Sequence, residues 1–196
     1  MTEARAYGPS ALLTPANAIT LARLALTPVL LSSIVETGDA WSTLALWVLL
    51  AGSDGVDGWL ARKQGTTRSG AFLDPLADKF LVLGAMVCLV ADGSFWWLPV
   101  AVIAFREISL TAYRSYLGRR GISLPARWSA KVKTVVQEVA VGFALLPLSA
   151  DHAPWIAESL LWVAMVLTAW TGIQYLVDAR RSTVARPDRP LERDER

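Results

Sequence analysis

Apolar residues gather in six runs along this chain, and polar or charged clusters separate them. The runs extend from about Ala18 to Val35, Trp41 to Ala61, Ala71 to Ala91, Phe95 to Leu117, Ala130 to Leu148 and Pro154 to Val177. Each is close to the roughly 20 residues that a helix needs to cross a hydrocarbon core. The pattern therefore predicts an all-α integral membrane fold with six transmembrane helices. Pro28 and Pro99 fall inside runs, where membrane helices tolerate them better than soluble ones do.

The connections between runs alternate in charge. Glu36 and Asp39 follow the first run, Asp92 the third, and Asp151 and His152 the fifth, with no Lys or Arg among them. Arg62, Lys63 and Arg68 follow the second run, Arg119, Arg120 and Arg127 the fourth, and Arg180 and Arg181 the sixth. Basic loops stay in the cytoplasm, so both termini are expected there, in a multi-pass protein of the cell membrane. A bacterial inner membrane suits so compact a chain. Trp41, Trp96, Trp97 and Trp155 then fall at the outer helix ends, where an amphipathic ring suits the interface.

Composition agrees with this picture. Charged residues make up 18% of the 196-residue chain and hydrophobic ones 54%, with a mean hydropathy of +0.39. A soluble domain would carry about 25% charged residues. One membrane domain, residues 1–178, accounts for the apolar pattern, and the charged stretch 179–196 is expected to be a disordered cytoplasmic tail. The single cysteine, Cys88, excludes an internal disulfide. No short leader with a small-residue cleavage site stands apart at the front, so the first run is expected to be retained. A net charge of +2 is too small to indicate a nucleic-acid partner.

Against this apolar background stands "GSDGVDGWLARKQGTTRSGAFLDPLADK", Gly52 to Lys79. On a helix Asp54 and Asp57 (i, i+3) share a face, as do Asp74 and Asp78 (i, i+4) on the next helix. A short basic link makes the two helices antiparallel and brings the carboxylates to one cytoplasmic membrane boundary. Four carboxylates together repel unless cations intervene, and oxygen ligands with room for water suit Mg²⁺ or Mn²⁺. A metal site facing the cytoplasm between helices 2 and 3 is the expectation. A solvated helix end is the plainer account of one such aspartate, but ionisable groups at membrane depth are costly and usually functional.

Gly52, Gly55, Gly58 and Ala61 recur every three residues beside the aspartates. Such a stripe serves close helix packing or leaves open backbone for a flat group such as a nucleotide base. Arg62 follows with a planar cationic fork for a phosphate. A divalent-cation transporter could also use intramembrane carboxylates. That alternative leaves Arg62, the glycine stripe and the clustering at one boundary without a role.

These residues resemble the CDP-alcohol phosphotransferase family, whose signature is D-x-x-D-G-x-x-A-R followed by G-x-x-x-D-x-x-x-D. Asp54, Asp57, Gly58, Ala61, Arg62, Gly70, Asp74 and Asp78 fill every defining position. "NAITLARLALTP" (Asn17 to Pro28) is similar to the family's first-helix segment. "FREISLTAYR" and "KVKTVVQ" are similar to the branch whose acceptor is sn-glycerol 3-phosphate.

The resemblance implies a six-helix membrane transferase, commonly a homodimer, with two divalent cations, Mg²⁺ or Mn²⁺. It would move the phosphatidyl group of CDP-diacylglycerol to an alcohol and release CMP. Carried over by position, Asp54, Asp57, Asp74 and Asp78 would bind metal, and Asp78 would also be the catalytic base. Asn17, Ala18, Ile19, Thr20, Gly58, Arg62 and Thr67 would contact the CDP part of the donor lipid. The branch implies glycerol 3-phosphate as acceptor; inositol phosphate or phosphatidylglycerol are the alternatives within the same chemistry. Arg106, Arg114, Lys131 and Lys133 are the cations available to an acceptor phosphate. Arg106 lies mid-run beside Glu107, where lipid exposure would be expensive, so a polar cavity is expected there. Positive-inside topology accounts equally well for Lys131 and Lys133.

Overall fold

The computed structural model describes the backbone of residues 15–64, 68–119 and 128–184, and the side chains within 17–53, 73–113 and 131–175 together with 55 and 116. Among them every regular element is helical. Six long helices stand where the apolar runs predict them: α1 (Pro15–Thr37), α2 (Trp41–Gln64), α3 (Arg68–Ala91), α4 (Trp97–Arg119), α5 (Trp128–Leu145) and α7 (Pro154–Val184). A short α6 (Pro147–His152) lies between the last two. Two segments, Asn17–Thr37 and Pro154–Tyr175, are long and apolar enough to cross a membrane by length and composition, and the apolar part of α2, Trp41–Ser53, is shorter.

Two sequence expectations need correction. The fifth run does not continue to Leu148: α5 stops at Leu145. Pro147 lacks an N–H and its ring would collide with the carbonyl of Phe143. Leu146 before it is extended, at φ −79° and ψ 113°, as a residue preceding proline prefers. Asp151 and His152 therefore lie on α6 rather than in a loop. The sixth helix also outlasts its apolar run, carrying 179–184 as helix through Val184. Residues 185–196 of the expected tail lie outside the described residues.

Glycine makes the turns at one end of the bundle. Gly38, between α1 and α2, has φ +58°, and its N–H donates to the Ile34 carbonyl at 3.0 Å, closing α1. Gly93, between α3 and α4, has φ +87° and donates to the Val90 carbonyl at 3.2 Å. Both are left-handed positions that side chains with a Cβ resist.

α1 packs along both α2 and α3, while those two touch each other only sparingly. α5 and α4 pack on α7. Leu30, Ile34, Leu81, Ala85, Met86 and Leu89 are buried where α1 meets α3. A Cβ on Gly84 would come within 3.0 Å of Leu31 Cδ1, so glycine sets how closely that pair approaches.

Among the described residues, large apolar side chains lie on the exterior as well as in the core, and the buried set includes charged and polar groups. Phe105, Ile108, Val29, Val48, Val135, Val166 and Trp170 are exposed, whereas Asn17, Thr20, Arg23, Glu107, Lys133, Gln137, Thr168 and Thr171 are buried. An apolar exterior around a partly polar interior is the arrangement suited to lipid. Trp41, Trp96, Trp97 and Trp155 are exposed at helix ends, as interface anchors should be.

Candidate active site

The aspartate motif occupies the helices that the spacing predicts. Asp54 and Asp57 lie on the C-terminal half of α2, and Asp74 and Asp78 on the N-terminal half of α3. With only 65–67 between them, the two aspartate-bearing halves meet at the same end of the bundle. Asp74 and Asp78 are half-buried. The side chains of Asp54, Asp57, Gly58, Arg62 and Arg114 lie outside the described residues, as does all of Thr67. Among the described residues no three His, Cys, Asp or Glu side chains gather, since the α2 half of the set is not among them.

The α3 half does suit a hard cation. Asp74 offers carboxylate oxygens at a partly open position, and Thr20 on α1 donates to its Oδ1 at 2.8 Å. A carboxylate oriented by such a bond is the usual companion of a bound ion. Pro75 lies inside α3 without breaking it. Gly52 and Gly55 are exposed, and a Cβ on either would meet no described atom within 4 Å. Among the described residues, then, nothing packs against these two glycines beside the aspartate motif.

The first-helix residues divide by face. Asn17, Thr20, Arg23 and Thr27 are buried, Ile19 is half-buried and Ala18 is exposed. Arg23 is 1% exposed and its Nε donates to Ser53 Oγ at 3.0 Å.

A second polar cluster forms where α3, α4, α5 and α7 meet. Glu107 on α4 is its centre. Arg106 Nη1 donates to Glu107 Oε1 at 2.8 Å, Lys133 on α5 pairs with the same oxygen, and Lys79 on α3 stands 3.5 Å from Oε2. Lys79 also donates to Thr111 Oγ1 and, at 3.3 Å, to the Glu107 carbonyl. Arg106 Nη2 donates to Thr171 Oγ1 at 2.9 Å, and its guanidinium lies 6.0 Å from the centre of the Tyr175 ring. Gly172 gives it room: a Cβ there would meet Arg106 Cγ at 3.4 Å. Among the described residues, the buried Arg106 Nε and Tyr175 hydroxyl have no hydrogen-bond partner.

Among the described residues, three cations surround the Glu107 carboxylate, so positive charge is in excess around it. Such a region suits a dianion such as a phosphate monoester. Of the four cations the sequence offers for an acceptor phosphate, the structure brings Arg106 and Lys133 together at Glu107. Lys131, two residues away, is exposed on the other side of α5. Lys79 escaped notice because it reads as one more basic residue near a membrane boundary. Its signal is its place immediately after Asp78, on the face of α3 turned toward α4. Gln137, Thr168, Thr171 and Tyr175 also escaped, although their three- and four-residue spacings within apolar runs mark one buried face of α5 and one of α7.

Comparison with known proteins agrees with the motif. The CDP-alcohol phosphatidyltransferase family model matches residues 13–170. A Mycobacterium tuberculosis protein named "Probable phosphatidylglycerophosphate synthase" is 39% identical over 174 residues, covering 85% of this chain and 81% of its own. Proteins named "CDP-diacylglycerol--glycerol-3-phosphate 3-phosphatidyltransferase" from Escherichia coli and Shigella flexneri are 39% identical over 170 residues, covering 83% of this chain and 92% of their own. With the signature complete on adjacent helices and the match spanning most of its length, the chain belongs to the CDP-alcohol phosphatidyltransferase family.

Proposed function

We propose that this protein is a phosphatidylglycerophosphate synthase, an integral membrane enzyme with six spanning helices and both termini in the cytoplasm. It transfers the phosphatidyl group of CDP-diacylglycerol to sn-glycerol 3-phosphate and releases CMP. The observation that carries this reading is the adjacency of two features: the aspartate motif on α2 and α3, and a cation-rich polar cluster that reaches the motif through Lys79. Relatives that bear the corresponding name at 39% identity support it.

Asp54, Asp57, Asp74 and Asp78 would hold two divalent cations, Mg²⁺ or Mn²⁺. Bound there, such ions would neutralise the diphosphate and make its phosphorus more electrophilic. The protein's own groups do the rest. Gly52 and Gly55 leave α2 open beside the aspartates, continuing toward Gly58 and Arg62, where the CDP part of the donor would lie; Asn17 to Thr20 and Thr67 complete its surroundings. Arg106 and Lys133 receive the acceptor phosphate, with Arg114 and Lys131 nearer the cytoplasmic approach. Asp78 takes the proton from the acceptor hydroxyl as its oxygen bonds to the β-phosphorus. The bond from that phosphorus to the bridging oxygen breaks, and CMP leaves with the electron pair. Phosphoryl transfer depends chiefly on such positioning and charge placement. Domain limits of 1–178 for the enzyme and a homodimeric assembly belong to the same reading.

The test is CMP release by the purified protein with CDP-diacylglycerol and Mg²⁺, offered glycerol 3-phosphate, inositol phosphate or phosphatidylglycerol in turn. Release with glycerol 3-phosphate alone is expected. Release with another acceptor alone would keep the chemistry and overturn the acceptor.

A further inference from the structure

The two halves of the aspartate motif lie on α2 and α3, which make few contacts with each other among the described residues and both pack on α1. One face of α1 reaches both. Thr20, 1% exposed, donates to Asp74 Oδ1 at 2.8 Å. Arg23, one turn further along the same face, donates from Nε to Ser53 Oγ at 3.0 Å. Ser53 in turn donates to the Leu50 carbonyl at 2.7 Å, so its hydroxyl is held from both sides next to Asp54. Thr27 Oγ1 donates to the Arg23 carbonyl at 2.8 Å, extending the buried polar stripe along the helix.

A guanidinium this deeply enclosed within an apolar helix is expensive, and such residues are normally retained for a task. Packing alone would be served by leucine. From these contacts we infer that α1 registers the site: Thr20 and Arg23 are positioning residues that set the axial offset and rotation of α3 and α2, and hence the spacing between the two aspartate pairs. The inference rests on the reading of the four aspartates as one site. Thr20 acts on α3 by holding Asp74 itself. Arg23 acts on α2 by holding Ser53, one residue before Asp54. Arg23 needs no contact with substrate, and the bond from Thr20 to Asp74 is separate from its place beside the CDP part of the donor. Carboxylates from two helices bind an ion well only when placed within about half an ångström of the productive geometry, and the packing of α1 on both helices can supply that placement.

The experiment uses the full chain in detergent micelles, with Thr20→Val, Thr20→Ser and Ser53→Ala as variants. Thr20→Val keeps the shape of the side chain and deletes the donor; Thr20→Ser restores it. Ser53→Ala removes the acceptor of Arg23 Nε and so releases α2, while leaving the arginine itself in place. The first readout is metal-free hydrogen exchange. Thr20→Val is expected to speed exchange about tenfold in the first half of α3, the effect of losing one hydrogen bond to a charged group. Thr20→Ser should return it to the unmutated rate, and Ser53→Ala should speed exchange in the second half of α2.

The second readout is the rise in Tm with added Mn²⁺. The half-saturating Mn²⁺ concentration is expected to increase about tenfold or more in Thr20→Val and in Ser53→Ala, the usual effect of losing a residue that orients a ligand. Unchanged exchange in both variants would overturn the inference, as would altered exchange with unaltered Mn²⁺ affinity. Altered exchange in a protein whose unmutated form does not respond to Mn²⁺ would instead overturn the metal reading and leave α1 as the registering element. Should Thr20→Val fail to fold, Ser53→Ala decides the matter alone.

Discussion

Glu107 shows how much one side chain can organise. It is 7% exposed and meets Arg106, Lys133 and Lys79, which arrive from its own helix and two others. Removing one partner of a buried ion pair costs about 3–5 kcal/mol, because the remaining charges stay buried without compensation. Glu107→Gln is therefore expected to lower Tm by several degrees in a thermal melt and to cut turnover as well. Asp78→Asn should behave differently. It leaves Glu107 and its cations in place, so Tm should fall less than in Glu107→Gln while CMP release falls by about 10²–10⁴, the usual contribution of a positioned base. Normal turnover by Asp78→Asn would remove it from that role. At this scale the sequence marks the four aspartates as candidates by spacing alone, which is meaningful on any helix. It left Lys79 and Thr171 hidden, because their importance lies in what three other helices bring to them.

Between residues and bundle lie the helices, and most of them were legible. Apolar runs bounded by charge place α1, α2 and α4 within a few residues of their ends. The error at α5 has a definite cause: hydropathy continues through Leu148, but Pro147 ends the hydrogen-bond ladder where hydropathy does not. Helix contacts are less visible still. The small residues of α2 and α3 look alike in sequence, yet Gly84 lies against Leu31 and Gly52 meets no described neighbour. Gly84→Val should thus push α1 from α3 and lower Tm by several degrees, with activity falling too because Thr20 and Asp74 part. Gly52→Ala should leave Tm unchanged. A melt in which Gly52→Ala is the more damaging would mean that a second copy, absent from a single-chain view, packs on that stripe.

Among the described residues, many large apolar side chains face outward while Arg23, Glu107 and Lys133 are kept within. Sequence composition announces lipid but cannot say which face of each helix turns inward, since the apolar face and the polar face are both needed. Loop charge does indicate orientation. In a chain whose Cys88 is replaced by alanine, a cysteine at Ser94 is expected to react with an impermeant maleimide in intact cells. A cysteine at Ser182 should react only after permeabilisation. Equal labelling of both in intact cells would contradict the proposed topology.

The dependence of α2 and α3 on α1 also bears on how the molecule is made. Chains emerge and enter the membrane from their N-terminal side, and domains assemble largely in that order. α1 precedes both aspartate-bearing helices and packs along each of them. Neither half of the motif has to search for the other. On the proposed reading each would dock in turn on a helix synthesised before it, and the order of synthesis would also be the order in which the proposed site comes together.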